Sequence, residues 1–329
     1  MTWTSAVWAT DEFRAELRAF VAAAVGEPFR MELVAQRPWS TVWRVDAARG
    51  TSYVKQNCPG QAHEARLMTE LARLAPSYLV PVVAADPDHD LLLTGDVGAP
   101  LAERPGAVDV ATWCRIARSG AELQRLVAPY ADRLALTRLL PADATTYVAD
   151  AVGRLGALPP GDPRRLDPGV ARRLEDLLPL VERWSDEVDE LDLPITLLHN
   201  DLHPPNVVLT DTGPRFLDFA DALLGEPLGG LTVPLTVARR DLGLRIDDPQ
   251  LWRIADTALE VWSDVVPLPA LRRALPAALQ LGRLAKVEAW RRCVATMTPP
   301  EREQYGAAPA DRLARLLECA PVGALAPLG

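Results

Sequence analysis

A chain of 329 residues carries 44 acidic against 35 basic side chains, a formal net charge of −9. That balance argues against a nucleic-acid backbone as partner, and any anionic ligand must be met by local groups because the overall field opposes it. The four cysteines, Cys58, Cys114, Cys293 and Cys319, form no Cys-x-x-Cys pair and read as reduced, small core residues of a cytoplasmic protein. No apolar run approaches a membrane span, and residues 1–13 lack the basic and apolar regions of a signal peptide, so no membrane partner is expected.

In chain order, residues 42–45 and 51–55 read as partner strands joined by the turn at 46–50. Lys55 ends the second of them, and the chain has only one other lysine, Lys286. A compact ammonium suits nucleotide phosphates as a point charge better than a forked guanidinium does; the alternative is a solvated lysine on a sheet face. Residues 61–75 read as a helix with Leu67, Met68, Leu71, Leu74 and Ala75 on one stripe. At about 100° per residue, Glu64 falls roughly 20° from the stripe centre and Glu70 roughly 100° away. Glu64 is therefore the expected partner of Lys55, although it would also favour the helix start electrostatically. Residues 79–83 and 91–93 read as further strands, with Pro81 confining the first to an edge position or to its own start. Amphipathic helices are expected over 111–126 and 168–189 and from about residue 249 onward, with proline-rich breaks between.

The densest pattern is Leu198-His199-Asn200-Asp201-Leu202-His203-Pro204-Pro205-Asn206, followed by Phe216-Leu217-Asp218-Phe219. Residues 207–209 have strand character, 210–214 supply turn chemistry and 215–217 form a second short strand. A hairpin returns its second strand to the start of its first, so Asn206 and Asp218 should lie side by side. An amide and a carboxylate at one point suit magnesium, which takes few protein ligands, while a lone carboxylate at Asp201 can accept a hydroxyl proton. Together these are the parts that phosphoryl transfer from a magnesium nucleotide to an alcohol requires. His199, Asp201 and His203 alternate and would share a face on a strand, but no histidine follows His203 to complete a binuclear metal site.

The matches at His199, Asp201, Leu202, His203, Pro204, Asn206 and Asp218 resemble the aminoglycoside phosphotransferase and choline-kinase family, small-molecule relatives of the protein kinases. The likeness implies an α+β, two-lobed protein-kinase-like fold. A small antiparallel-sheet lobe would span residues 1–95 and a larger, mainly helical lobe 96–329. It also implies Asp201 as catalytic base, Asn206 and Asp218 as magnesium ligands, Lys55 on the nucleotide phosphates, and ATP or GTP as donor to a small-molecule alcohol. Asn200 and Pro205 stand where the family often has glycine. The usual Gly-x-Gly-x-x-Gly is missing; Ser40 and Thr41 are the candidate phosphate contacts in its place, with Trp39 capping the loop or packing. The break at 94–98 would be the nucleotide-contacting connector, with Thr94, Asp96 and Val97 as its candidates.

The Arg- and Ala-rich composition suggests a GC-rich bacterial coding sequence and inclines the acceptor toward an antibiotic or related natural product, phosphorylated for resistance or self-protection. A metabolic kinase for an amino alcohol, sugar or nucleoside is the alternative, and a non-catalytic nucleotide-binding scaffold a third. Asp221 is expected to cap a turn rather than assist a metal. The acidic residues Glu182, Asp186, Glu187, Asp189, Glu190 and Asp192 should be a solvated helix end, and Trp252, Trp262 and Trp290 core residues rather than pocket walls.

Overall fold

The sheet lobe begins with α1 (Asp11–Val25), whose start is fixed by Thr10 accepting the Phe13 N–H at 3.2 Å and by Asp11 and Glu12 in its first turn. Phe13, Leu17 and Val21, spaced four apart, form its buried stripe. Five antiparallel strands follow: β1 (Phe29–Arg37), β2 (Ser40–Ala47), β3 (Gly50–Asn57), β4 (Val82–Asp86) and β5 (Leu91–Gly95), in spatial order β1-β2-β3-β5-β4. Between β3 and β4 runs α2 (Glu64–Leu74). It starts later than the spacing predicts, because Pro59–Gln61 form a separate 3₁₀ turn. β4 begins directly after Pro81 and lies at the sheet edge, where a missing N–H costs no ladder bond. The computed structural model describes residues 3–323 apart from 105 and 107.

Strand alternation sorts side chains onto two faces. Val45, Val54, Leu91 and Leu93 pack with α1 in one apolar cluster, whereas Leu92 joins Ala65, Met68 and Leu71 of α2 in the main core. All three leucines at 91–93 are buried because both faces of β5 are covered. Lys55 and its cross-strand partner Val42 point away from α1, into the cleft between the lobes.

The helical lobe holds α3 (Val110–Val127), α4 (Ala144–Gly156), α5 (Pro168–Asp189), α6 (Thr232–Asp241), α7 (Pro249–Leu259), α8 (Leu268–Thr296), α9 (Pro299–Tyr305) and α10 (Ala308–Ala314). Three short strands, β6 (Arg138–Leu139), β7 (Thr196–Leu198) and β10 (Leu223–Gly225), form a small sheet with β10 central; β8 (Val207–Thr210) and β9 (Gly213–Phe216) form the hairpin. No helix among the described residues is long and apolar enough to cross a membrane. The whole is α+β, with a small antiparallel sheet and a larger helical part.

α8 spans both lobes. Leu275, Leu279 and Leu284 are buried in the helical core, but Cys293, Val294 and Met297 at its far end sit with Trp8, Phe13 and Val54 in the cluster behind the sheet. The segment before α2 presses directly on it: a Cβ at Gly60 would meet the Arg292 carbonyl oxygen at 2.2 Å. Only glycine allows that approach, which fixes the start of α2 against α8.

Candidate active site

Between the sheet and the β8–β9 hairpin lies a cavity of about 500 Å³. Val34 and Val42 line it from the sheet, Val208 and Leu217 from the hairpin, and Thr94, Asp96 and Val97 from the connector. Two apolar surfaces facing each other suit a flat aromatic base. At the inner end, Lys55 Nζ donates to Asp218 Oδ1 and contacts Glu64 Oε2, each at 2.7 Å. Glu64 is buried; its Oε1 accepts the Phe219 N–H at 2.7 Å and its Oε2 the Asn57 amide at 2.8 Å. Asn57 and the Ala65 N–H also bind the buried Asp90 carboxylate, so the first turn of α2 is anchored to β3 and to the β4–β5 turn. Burial works against the Lys55 charge, but Asp218 and Glu64 outweigh it and hold the ammonium well above its usual pKa. Burial likewise raises the Asp218 carboxyl, and the Lys55 charge brings it below the ordinary carboxylate range.

The hairpin delivers Asn206 and Asp218 together. Val207 pairs with Phe216, and the Leu217 N–H donates to the Asn206 carbonyl at 3.2 Å, one residue from Asp218. Asp218 and Asn200 both have φ of 62°. Asn and Asp are the non-glycine residues that tolerate this left-handed region best, which accounts for Asn200 at a position where glycine is common. Pro205 lies within the 3₁₀ turn Pro204–Asn206, a place where proline's fixed φ fits.

Beside the first cavity is a second of about 200 Å³, which shares Ser40, Lys55 and Asp218 with it and contains Asp201. Asp201 is held on all sides. Asn206 Nδ2 donates to its Oδ2 at 3.1 Å and to its carbonyl at 2.9 Å, and His203 Nε2 stands 3.3 Å from Oδ2. Lys286 Nζ, from α8, donates to Oδ1. The same ammonium donates to Asp221 Oδ2 at 2.5 Å, and Gln61 Nε2 takes Asp221 Oδ1 at 2.6 Å. Burial alone would raise the Asp201 carboxyl, but Lys286 and then His203 hold it far below the ordinary range. His199 is buried: Nε2 lies 3.1 Å from the Leu217 carbonyl, and Nδ1 accepts the Asp201 N–H at 3.3 Å. That pattern fixes the neutral Nε2–H tautomer, in line with the downward push of burial on its pKa. His199 therefore shapes the loop backbone.

A family model for phosphotransferase enzymes matches residues 36–251. The chain belongs to this phosphotransferase family. Its activity class is accordingly that of a small-molecule kinase with an alcohol as acceptor. Among curated proteins, no sequence match is found. Among solved structures, the fold is similar to an ethanolamine kinase of Plasmodium vivax (11% identity, 87% of this chain and 82% of that one, TM-score 0.62). It is similar also to a macrolide 2′-phosphotransferase of Brachybacterium faecium (19% identity, 92% and 98% covered, TM-score 0.58). A third is an amicoumacin kinase solved with AMP-PNP, Ca²⁺ and amicoumacin (13% identity, 95% and 98% covered, TM-score 0.58). At these identities the likenesses show the fold.

Within this phosphotransferase, Lys55, Glu64, Ser40, Thr94, Asp96, Val97 and Asp218 all line the first cavity, with Asp201 beside it. Thr41 does not. It alternates with Ser40 on β2, so it points to the opposite face, where it is fully buried and accepts the Trp43 indole N–H at 3.0 Å. Asp221 caps no turn; its carboxylate is taken by Lys286 and Gln61. Trp252 and Trp262 are core, but Trp290 is half-buried and lines the second cavity, edge-on to Trp39 with ring centroids 5.3 Å apart. The acidic residues from Glu182 to Asp192 are exposed. The site residues that sequence reasoning missed are Lys286, Gln61 and Arg312. A signal for Lys286 existed, since the scarcity of lysine that singles out Lys55 applies equally to it.

Proposed function

We propose that this phosphotransferase moves the γ-phosphoryl group of ATP or GTP to a hydroxyl of an antibiotic or related natural product, with Asp201 as the catalytic base. The observation that supports this most is the meeting of the two cavities at Lys55 and Asp218, with Asp201 on the far side of that junction. A nucleotide base fits the larger cavity, its phosphates reach Lys55, and an acceptor hydroxyl in the smaller one approaches in line. Asp201 takes a hydrogen bond from that hydroxyl, aims its oxygen, and receives its proton late, since so weak a base cannot deprotonate an alcohol in the ground state. Lys286, His203 and Asn206 keep the Asp201 carboxylate in one orientation, so little reorganisation is needed as the transition state forms. Lys286 is thus a positioning residue.

Asn206 Nδ2 is engaged with Asp201 and Asp218 Oδ1 with Lys55, while Asn206 Oδ1 and Asp218 Oδ2 have no hydrogen-bond partner among the described residues. A free amide oxygen and a free carboxylate oxygen at one end of the hairpin are of the kind that suits a hard divalent cation. Magnesium bound there would neutralise charge on the phosphate oxygens. The fold is shared with macrolide and amicoumacin enzymes and equally with an ethanolamine kinase; what inclines the reading to a natural-product acceptor is the Arg- and Ala-rich, bacterial-type composition. A mass-spectrometric transfer screen tests the proposal: magnesium and ATP or GTP with antibiotics, amino alcohols, sugars and nucleosides, using Asp201→Asn as control. One added phosphoryl group on a natural product with wild type alone is the expected result. Transfer confined to a central-metabolic alcohol would overturn the acceptor class.

A further inference from the structure

The second cavity carries three carboxylates, Asp201, Asp218 and Asp221, and three cations, Lys55, Lys286 and Arg312. Two of the cations have direct partners: Lys55 pairs with Asp218, and Lys286 with Asp201 and Asp221. Both oxygens of Asp221 are engaged, one by Gln61 and one by Lys286, and both oxygens of Asp201 have donors. Of the three carboxylates, Asp218 alone keeps an oxygen without a donor among the described residues, the Oδ2 assigned above to a divalent cation. The Arg312 side chain, half-buried on α10, makes no hydrogen bond or ion pair among the described residues, and Asp201, Asp221 and Asp311 act on its charge only at longer range. The three carboxylates and three cations balance in number, and Arg312 is the one of the six whose side chain has no direct partner.

The wall beside it is aromatic. Trp39, from the turn between β1 and β2, meets Trp290 edge-on with ring centroids 5.3 Å apart, and Tyr305 meets Trp39 edge-on at 5.1 Å. All three rings are half-buried, and both tryptophans line the cavity. Such rings favour a flat or apolar surface. A guanidinium partly removed from water gains most from an oxyanion it can grip with two N–H groups.

We infer that the acceptor is a hydroxyl compound with a carboxylate or similar oxyanion for Arg312 and a flat, apolar portion for Trp39 and Trp290. A polycation would have to compete with a lysine already in contact with each carboxylate of the cavity. The inference rests on the phosphotransferase reading of this site and names the class of acceptor. In the transfer, the acceptor's hydroxyl oxygen bonds to the γ-phosphorus and the bond from that phosphorus to the β–γ bridging oxygen breaks. The nucleoside diphosphate leaves with the electron pair, and the proton passes to Asp201.

The test uses three matched alcohols: para-hydroxymethylbenzoate, para-hydroxymethylbenzylamine and benzyl alcohol. Each is titrated into enzyme loaded with magnesium and a non-hydrolysable ATP analogue. The expected order puts the benzoate about tenfold tighter than benzyl alcohol and the amine no tighter than benzyl alcohol. Arg312→Gln should bring the benzoate to the level of benzyl alcohol, and Arg312→Lys should restore part of the preference. An amine that binds tighter than the benzoate, a benzoate preference untouched by Arg312→Gln, or no benzoate binding to loaded wild-type enzyme would each overturn the inference. The wild-type order needs no variant to fold. Failure of the underlying reading is visible separately, as an absence of magnesium-dependent binding of the nucleotide analogue at the loading step.

Discussion

The two halves of the site are built in different ways. In the half proposed for the nucleotide, Lys55 comes from a strand, Glu64 from the first turn of the next helix and Asp218 from a hairpin end; each follows from a local rule of spacing. In the half proposed for the acceptor, Asp201 and Asp221 are held by Lys286, which lies 85 residues beyond Asp201 on a helix that runs through both lobes. Both halves use a lysine between two carboxylates, with contacts no longer than 2.7 Å. The lesson is that the same electrostatic device serves two ends. In the proposed function, Lys55 held in this way faces the phosphates and Lys286 steadies Asp201.

Substitutions can break or sharpen that contrast. The largest effect is expected for Asp201→Ala, which should lower kcat by roughly 10²–10⁴ while nucleotide affinity stays nearly unchanged. Steady-state transfer and nucleotide titration together read it, and lost nucleotide binding with little loss of turnover would contradict the assigned role. Next, Glu64→Gln frees Lys55 from its buried partner and should raise the nucleotide KM by about 10–100-fold. A change only in the acceptor KM would place Glu64 in the wrong half. Lys286→Met should lower kcat by about 10–100-fold through a less well aimed Asp201, with the nucleotide KM kept. Partial recovery in Lys286→Arg would separate charge from packing.

The smallest effect concerns Asp90 in the anchor of α2. Burial, with some help from Glu64 opposite, raises its carboxyl from the ordinary 3.8 to about 6, against its hydrogen bonds from Asn57 and Ala65. Between those two values the folded chain retains a proton that the unfolded chain has lost, so this group's contribution to stability falls as pH rises from about 4 to about 6. Asp90→Asn should remove that part of the slope in a series of melting temperatures across this range. A slope identical to wild type would show that the carboxyl titrates normally.

Much of the nucleotide half was legible. Helical periodicity turned Glu64 inward, and the turn chemistry of residues 210–214 brought Asn206 and Asp218 to one end of the hairpin. Thr41 was misplaced because it was read as loop; β2 starts at Ser40, and strand alternation then sends neighbours to opposite faces. The acceptor half resisted for a different reason. α8 is buried around most of its circumference, so it shows no polar stripe from which Lys286 or Trp290 could be picked out. Asp221 looked like a cap because its partners, Gln61 and Lys286, are distant in sequence and only the tertiary fold brings them together.

The most direct check on the division of labour is a calorimetric titration of a non-hydrolysable ATP analogue, with and without magnesium, into wild type, Asp218→Ala and Lys286→Met. The account predicts that Asp218→Ala loses the magnesium-dependent part of binding, while Lys286→Met binds the analogue like wild type. Equal loss in both variants, or magnesium-dependent binding that survives in Asp218→Ala, would contradict it.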